Sequence, residues 1–218
     1  MEEEIKRDEH GEDKEDKAIT EKENKQLRNV FIMIGVLVFF FVATIFIMNA
    51  IGHFDYQGVG FDMDRKTISG KTIYRTSVPV NSEHKITEGE SVADYNFYLR
   101  IDPRTLKNIP LEGELVLMPN TVINFTGDFN CNGDGIIAIA NLINVLDVLG
   151  VKTIKDETAG CDSEGAYTFL QIQPGEESSI EQFGPSCYNL NINDCEILEV
   201  TEKYIVELLS EITENRLQ

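Results

Sequence analysis

Residues 30–51 read VFIMIGVLVFFFVATIFIMNAI, without a charge or a proline. At 1.5 Å per residue this run makes a helix of about 33 Å, enough to cross a hydrocarbon core of roughly 30 Å. A helix buried in a soluble core would carry a polar stripe, and the first part of this run carries none. The run is longer than the apolar stretch of a cleaved signal peptide, and no small-residue cleavage site follows it. It therefore reads as a retained signal anchor. Residues 1–29 mix acids and bases with few apolar side chains (Ile5, Ile19, Leu27). They predict a disordered tail, available as a docking sequence for a cytoplasmic partner.

Beyond the anchor the period shortens. Two aromatic and β-branched runs flank Ser69-Gly70 and predict a hairpin, and residues 81–91 predict a polar loop. In ADYNFYLRID the residues Tyr95, Phe97 and Leu99 alternate onto one face, and Asp102-Pro103 ends the strand. ELVLM and TVINFT read as further strands. The period then lengthens: IIAIANLINVLDVLG, opened by Gly135 and closed by Gly150, predicts a helix too short to span a membrane and buried under a sheet. Its apolar surface could alternatively meet a partner subunit. AYTFLQIQ and YNLNI predict strands. From Thr201, the residues Val200, Tyr204, Ile205, Leu208, Leu209 and Ile212 form the stripe of an amphipathic helix. The resulting expectation is an α+β domain over 52–218, with a mixed or antiparallel sheet and two packed helices, behind a tail (1–29) and a transmembrane helix (30–51).

Charge orients the anchor. Lys22, Lys25 and Arg28 precede it closely, whereas no Lys or Arg follows until Arg65, so the N-terminus is expected in the cytoplasm and the C-terminal domain outside. The net charge of −19 argues against a nucleic-acid partner. The tail holds seven basic against eleven acidic side chains, so −15 belongs to the rest of the chain. The expected partners are the lipid bilayer and a protein of the cell envelope.

All four cysteines, Cys131, Cys161, Cys187 and Cys195, follow the anchor. An even count on the outer side predicts two disulfides, and of the three connectivities we expect the local ones, Cys131–Cys161 and Cys187–Cys195. No CxxC is present to favour a redox or zinc centre. Asn124-Phe125-Thr126 is a glycosylation sequon and makes Asn124 a candidate acceptor.

Asn130, Asn132 and Asp134 alternate before Gly135, and Asn141 stands at the twelfth place, as oxygen donors do around calcium in EF-hand-like loops. The set has few carboxylates, so it predicts a weak calcium site or simply a polar turn that opens the helix. No other cofactor is implied. No G-x-S-x-G is present, and His53 and His84 read as surface residues, as do the acid pairs Asp62/Asp64 and Glu88/Glu90. No catalytic residue is assigned, and a two-carboxylate hydrolase stands as the alternative to a binding module. Arg100, Asp102 and Arg104 flank a bend in an otherwise acidic domain and are candidates for partner recognition, or for a turn held by Arg–Asp pairs.

The blocks FYLRIDPR (Phe97–Arg104), CNGDGIIAIANL (Cys131–Leu142) and QFGPSCYN (Gln182–Asn189) resemble archaeal single-pass membrane-anchored proteins of uncharacterised function. The resemblance covers the chain from about Phe54 onward. It implies an archaeal cell surface, and no activity.

Overall fold

A computed structural model describes residues 25, 27–47, 52–64, 72–79, 94–156 and 158–217. The start of the tail, Ser69-Gly70, the stretch 81–91 with His84, Glu88 and Glu90, and His10 lie outside them. The chain divides into two compact units between Ile51 and Gly52. In the first, helix α1 runs from Leu27 to Ile47 with a mean hydropathy of 3.1 and no buried residues in its most apolar window. Helix is therefore already present before the apolar run, at Lys25 and from Leu27 onward. Its 21 residues make about 32 Å.

The second unit is α+β. Strands β1 (His53–Tyr56), β2 (Val59–Asp64), β3 (Ile73–Pro79) and β4 (Asp94–Leu99) form an antiparallel meander in that order. β2 and β3 are the runs that flank Ser69-Gly70. Phe97 and Leu99 are buried as expected, while Tyr95 is exposed and leans on Phe97 with ring centroids 4.8 Å apart. Gln57 and Gly58 join β1 to β2 with φ of 51° and 75°. Two successive left-handed residues suit the twist of a tight hairpin. Glutamine tolerates this poorly, but Ser210 donates to its carbonyl at 2.7 Å and Glu207 accepts from its amide at 2.8 Å.

The larger sheet contains β5 (Leu111–Glu112), β6 (Asn120–Phe125), β7 (Lys152–Lys155), β8 (Thr168–Pro174), β9 (Ser179–Gly184) and β10 (Cys187–Ile192), ordered β5-β9-β10-β8-β6-β7. It is mixed: only β9–β10 pairs antiparallel. Helix α2 (Asp134–Val148) is the crossover between the parallel neighbours β6 and β7. Gly150 ends it at φ 80°, with the Val151 N–H reaching back to the Leu146 carbonyl at 2.8 Å.

Helix α3 (Ile197–Leu217) is central. Val200, Tyr204, Ile205, Leu208 and Leu209 are buried, but so are Thr201, Glu202, Lys203 and Val206 on its other sides. It is therefore enclosed nearly all round rather than resting on one surface. One hydrophobic core joins Phe61, Tyr74, Phe97 and Leu99 of the meander, Leu142 and Leu146 of α2, and Leu170, Ile172, Ile180 and Leu190 of the larger sheet around it.

ELVLM (114–118) is not a strand. The Tyr188 hydroxyl accepts from the Val116 N–H at 2.6 Å and donates to the Glu114 carbonyl at 2.8 Å. The Thr168 hydroxyl accepts from the Met118 N–H and donates to the Val116 carbonyl. Side chains thus take the groups that a ladder would use.

The disulfide pairing also differs from the local one. Cys131 bonds Cys195 and Cys161 bonds Cys187, across separations of 64 and 26 residues. Cys131 precedes α2 and Cys195 precedes α3, and the packing of those helices brings the two cysteines together.

Candidate binding surface

The turn before α2 is tightly folded. Cys131, Asn132 and Gly133 have φ of 44°, 56° and 95°. The Phe129 carbonyl lies so close to Gly135 that a Cβ there would overlap it. Only a glycine lets the 127–130 segment lie against the helix at this point. That segment forms one wall of an open groove of about 640 Å³, whose lining includes Phe125, Phe129, Ile136, Ile139, Ile143 and Ile197. α2 buries Ala138, Leu142, Val145 and Leu146 inward and turns Ile136, 70% exposed, and Ile143, 38% exposed, outward. The groove is mainly apolar, but Asp128 lines it, and exposed Asp194 and Glu196 precede Ile197.

The Arg100–Arg104 block joins elements together. Asp102 caps a short 3-10 helix (Pro103–Asn108), accepting from the Arg104 N–H at 3.0 Å. The Arg104 guanidinium reaches the same carboxylate at 2.9 and 2.6 Å and lies 4.4 Å from the centroid of the Phe54 ring. This pairing holds the Asp102 carboxyl below its ordinary range. Arg100 stands 3.7 Å from Asp134, and both side chains are about two-fifths exposed, so the pair contributes little.

Sequence reasoning passed over Glu202, whose carboxylate the same block grips. The backbone N–H groups of Arg100 and Ile101 donate to its two oxygens at 2.8 and 2.9 Å. Glu202 has no exposed surface. Burial pushes its carboxyl up to about 8, against the pull of the two N–H donors and Arg100. Nothing in the periodicity marks an acid at this place as internal, since it neighbours the apolar stripe without belonging to it.

A pH dependence follows. The folded value lies above the ordinary 4.5, so the stabilisation is full below pH 4.5 and is lost as pH rises to about 8. Between those limits the slope for one proton approaches about 1.4 kcal/mol per pH unit. Glu202→Gln removes this slope. It also costs about 1–3 kcal/mol at acid pH, because an amide NH₂ cannot accept from the second backbone N–H. Urea unfolding midpoints at pH 5, 6.5 and 8 check this; parallel slopes for both proteins would exclude Glu202 as the titrating group.

The other candidates are dispersed. Asn130 and Asn132 lie in the turn and Asp134 opens α2, whereas Asn141 is seven residues along the helix, about 10 Å from Asp134 on the axis. The Asn141 amide approaches the Tyr98 carbonyl at 3.5 Å, and the Asp128 carboxylate accepts from the Asn130 N–H at 3.1 Å. Among the described residues no three His, Cys, Asp or Glu side chains gather as a metal site. Asn124 is half-buried in β6, between β7 and β8. Asp62 is held low by Arg75 at 2.7 Å and His53 at 3.0 Å on an exposed face.

The chain matches no known protein-family pattern, no curated protein and no solved structure.

Proposed function

We propose that this chain is a membrane-anchored extracytoplasmic binding module, with its N-terminus in the cytoplasm, that holds an envelope protein in the groove beside α2. The observation that carries the placement is the state of the cysteines: all four are paired within the second unit. Such bridges persist in oxidising compartments and are rare in a reducing cytosol. The orientation rests on the basic residues Lys22, Lys25 and Arg28 before the apolar run.

The groove supplies the contact. Apolar side chains clustered on one helix face, with acids around them, suit an amphipathic partner segment whose apolar anchors are flanked by Lys or Arg. A photo-crosslinking residue at Ile136 in native membranes is expected to give one discrete adduct. Ile143→Asp is expected to abolish that adduct while moving the melting temperature by little, because Ile143 faces outward. An adduct that survives Ile143→Asp would exclude the groove as the contact.

A further inference from the structure

The larger sheet has a second face, which neither helix covers. Strand alternation turns Leu170, Ile172, Leu190 and Ile180 inward to the core. It turns Gln171 and Gln173 of β8, Asn189 and Asn191 of β10, Asn124 of β6 and Glu181 of β9 outward. A sheet built mostly of parallel pairs is normally covered on both faces by apolar packing. Here Val122, Phe169 and Cys187 are buried at one end of the face, but the six positions just named are half-buried polar side chains.

Register aligns them. Asn124 pairs with Gln171, Gln171 with Asn189, and Asn189 with Glu181, which in turn pairs with Glu112 at the edge. This makes one continuous row across five strands, about 19 Å long at 4.8 Å per strand. A second row holds Gln173, Asn191 and Ser179. Hydrogen bonds fix its orientation. Gln173 donates to Asn191 at 2.9 Å, and Asn191 donates to Ser179 at 2.9 Å and to Glu181 at 3.0 Å. Asn189, at the centre of the first row, spends its amide on no neighbour in this network. At one end of the face, Phe183 is 47% exposed and packs edge-on against Phe169. There Ala159 and Tyr167 pack against Val122, Phe169 and Cys187, and Cys187 is bonded to Cys161.

We propose that this face binds a neutral glycan along the amide row. Amides present a donor and an acceptor side by side, as vicinal sugar hydroxyls require. Glu112 on the edge strand and Glu181 beside it accept hydrogen bonds from further hydroxyls, Glu181 already accepting from Ser179 and Asn191 through one oxygen. They also repel polyanions, as does a segment of the chain carrying −15. The surface is a sheet face and not an edge, so a peptide strand would find no ladder to extend. The exposed Phe183 ring offers a platform for the apolar C–H face of a pyranose. The inference depends on the domain lying outside the membrane, as proposed above, but not on the groove, which lies on the opposite side of the sheet.

The test is affinity electrophoresis of the full detergent-solubilised chain through gels containing mannan, dextran or β-glucan, with heparin as the anionic control. Retardation by at least one neutral polysaccharide is expected, and none by heparin. Losing two neutral hydrogen bonds in a Gln171→Ala, Asn189→Ala double variant weakens that binding about tenfold. Both disulfides and the melting temperature are retained in that variant, whereas Ile136→Asp on the other face leaves retardation unchanged. The proposal is overturned if no neutral polysaccharide retards the chain, or if the double variant is retarded equally. Either failure leaves the topology and the groove standing, since those are read by membrane-side labelling and by crosslinking.

Discussion

Cys131→Ala with Cys195→Ala lowers the unfolding free energy of the C-terminal unit by about 4 kcal/mol, the chain-entropy value for a loop of this length. The bridge closes 64 residues. It constrains the unfolded chain and ties the start of α2 to the start of α3, so both groove walls depend on it. For a domain of this size, about 4 kcal/mol corresponds to a fall in melting temperature of roughly 8–16 °C. The shorter bridge closes 26 residues and is worth about 3.5 kcal/mol by the same relation. Thermal unfolding of the two double variants and the parent in non-reducing buffer checks both values. The Cys131/Cys195 variant is expected to lose groove crosslinking at Ile136 as well. The Cys161/Cys187 variant keeps it, because that bridge sits on the opposite face.

Gly135→Ala is the second large effect. In an open helix this change would gain about 1 kcal/mol from propensity. Here the added methyl overlaps the backbone carbonyl of Phe129, which is not the movable end of a flexible side chain. Overpacking of this kind costs about 1–3 kcal/mol or more, because backbone must shift. The overlap wins, and we expect a net loss near 2 kcal/mol. Gly150→Ala is the comparison: its φ of 80° strains an alanine, but no neighbour lies within contact distance of a Cβ there. Denaturant midpoints should therefore fall in both, while crosslinking at Ile136 is disturbed only in Gly135→Ala, where the groove wall moves.

Much of the fold was readable where one local cause dominates. The anchor is visible because an unbroken apolar run has one common use. α2 is visible because Gly135 in its first turn and Gly150 beyond its end mark its limits. β4 ends at Leu99, short of the stop expected at Asp102-Pro103, where Glu202 takes the Arg100 and Ile101 N–H groups. The misses share a different cause. β9 was hidden because ESSIEQFG carries too few apolar residues to alternate clearly, and its partner β10 supplies the burial. The first hairpin was hidden because its turn is Gln57-Gly58, a pair that α3 holds in place and local propensity would not select. ELVLM reads as a strand from its own residues, but Tyr188 and Thr168 claim its backbone from far away in sequence. Disulfide pairing, the burial of Glu202 and the alignment of the outer amides likewise depend on helix and strand neighbours that no local pattern contains. Arg100, Asp102 and Arg104 read in sequence as partner recognition or as a turn held by Arg–Asp pairs. The Asp102–Arg104 pair does hold that turn, while the backbone link from Arg100 and Ile101 to Glu202 of α3 has no local signal.

The placement of the disulfide-bonded unit is what the functional reading stands on. Intact cells treated with an external protease, followed by thiol counting on the released fragment, test it directly. The account predicts that the bulk of the chain beyond Gly52 is released while the tail is protected, and that no free thiol appears until a reductant is added. A C-terminal unit that survives the protease on sealed cells, or that carries four reactive thiols, would contradict it.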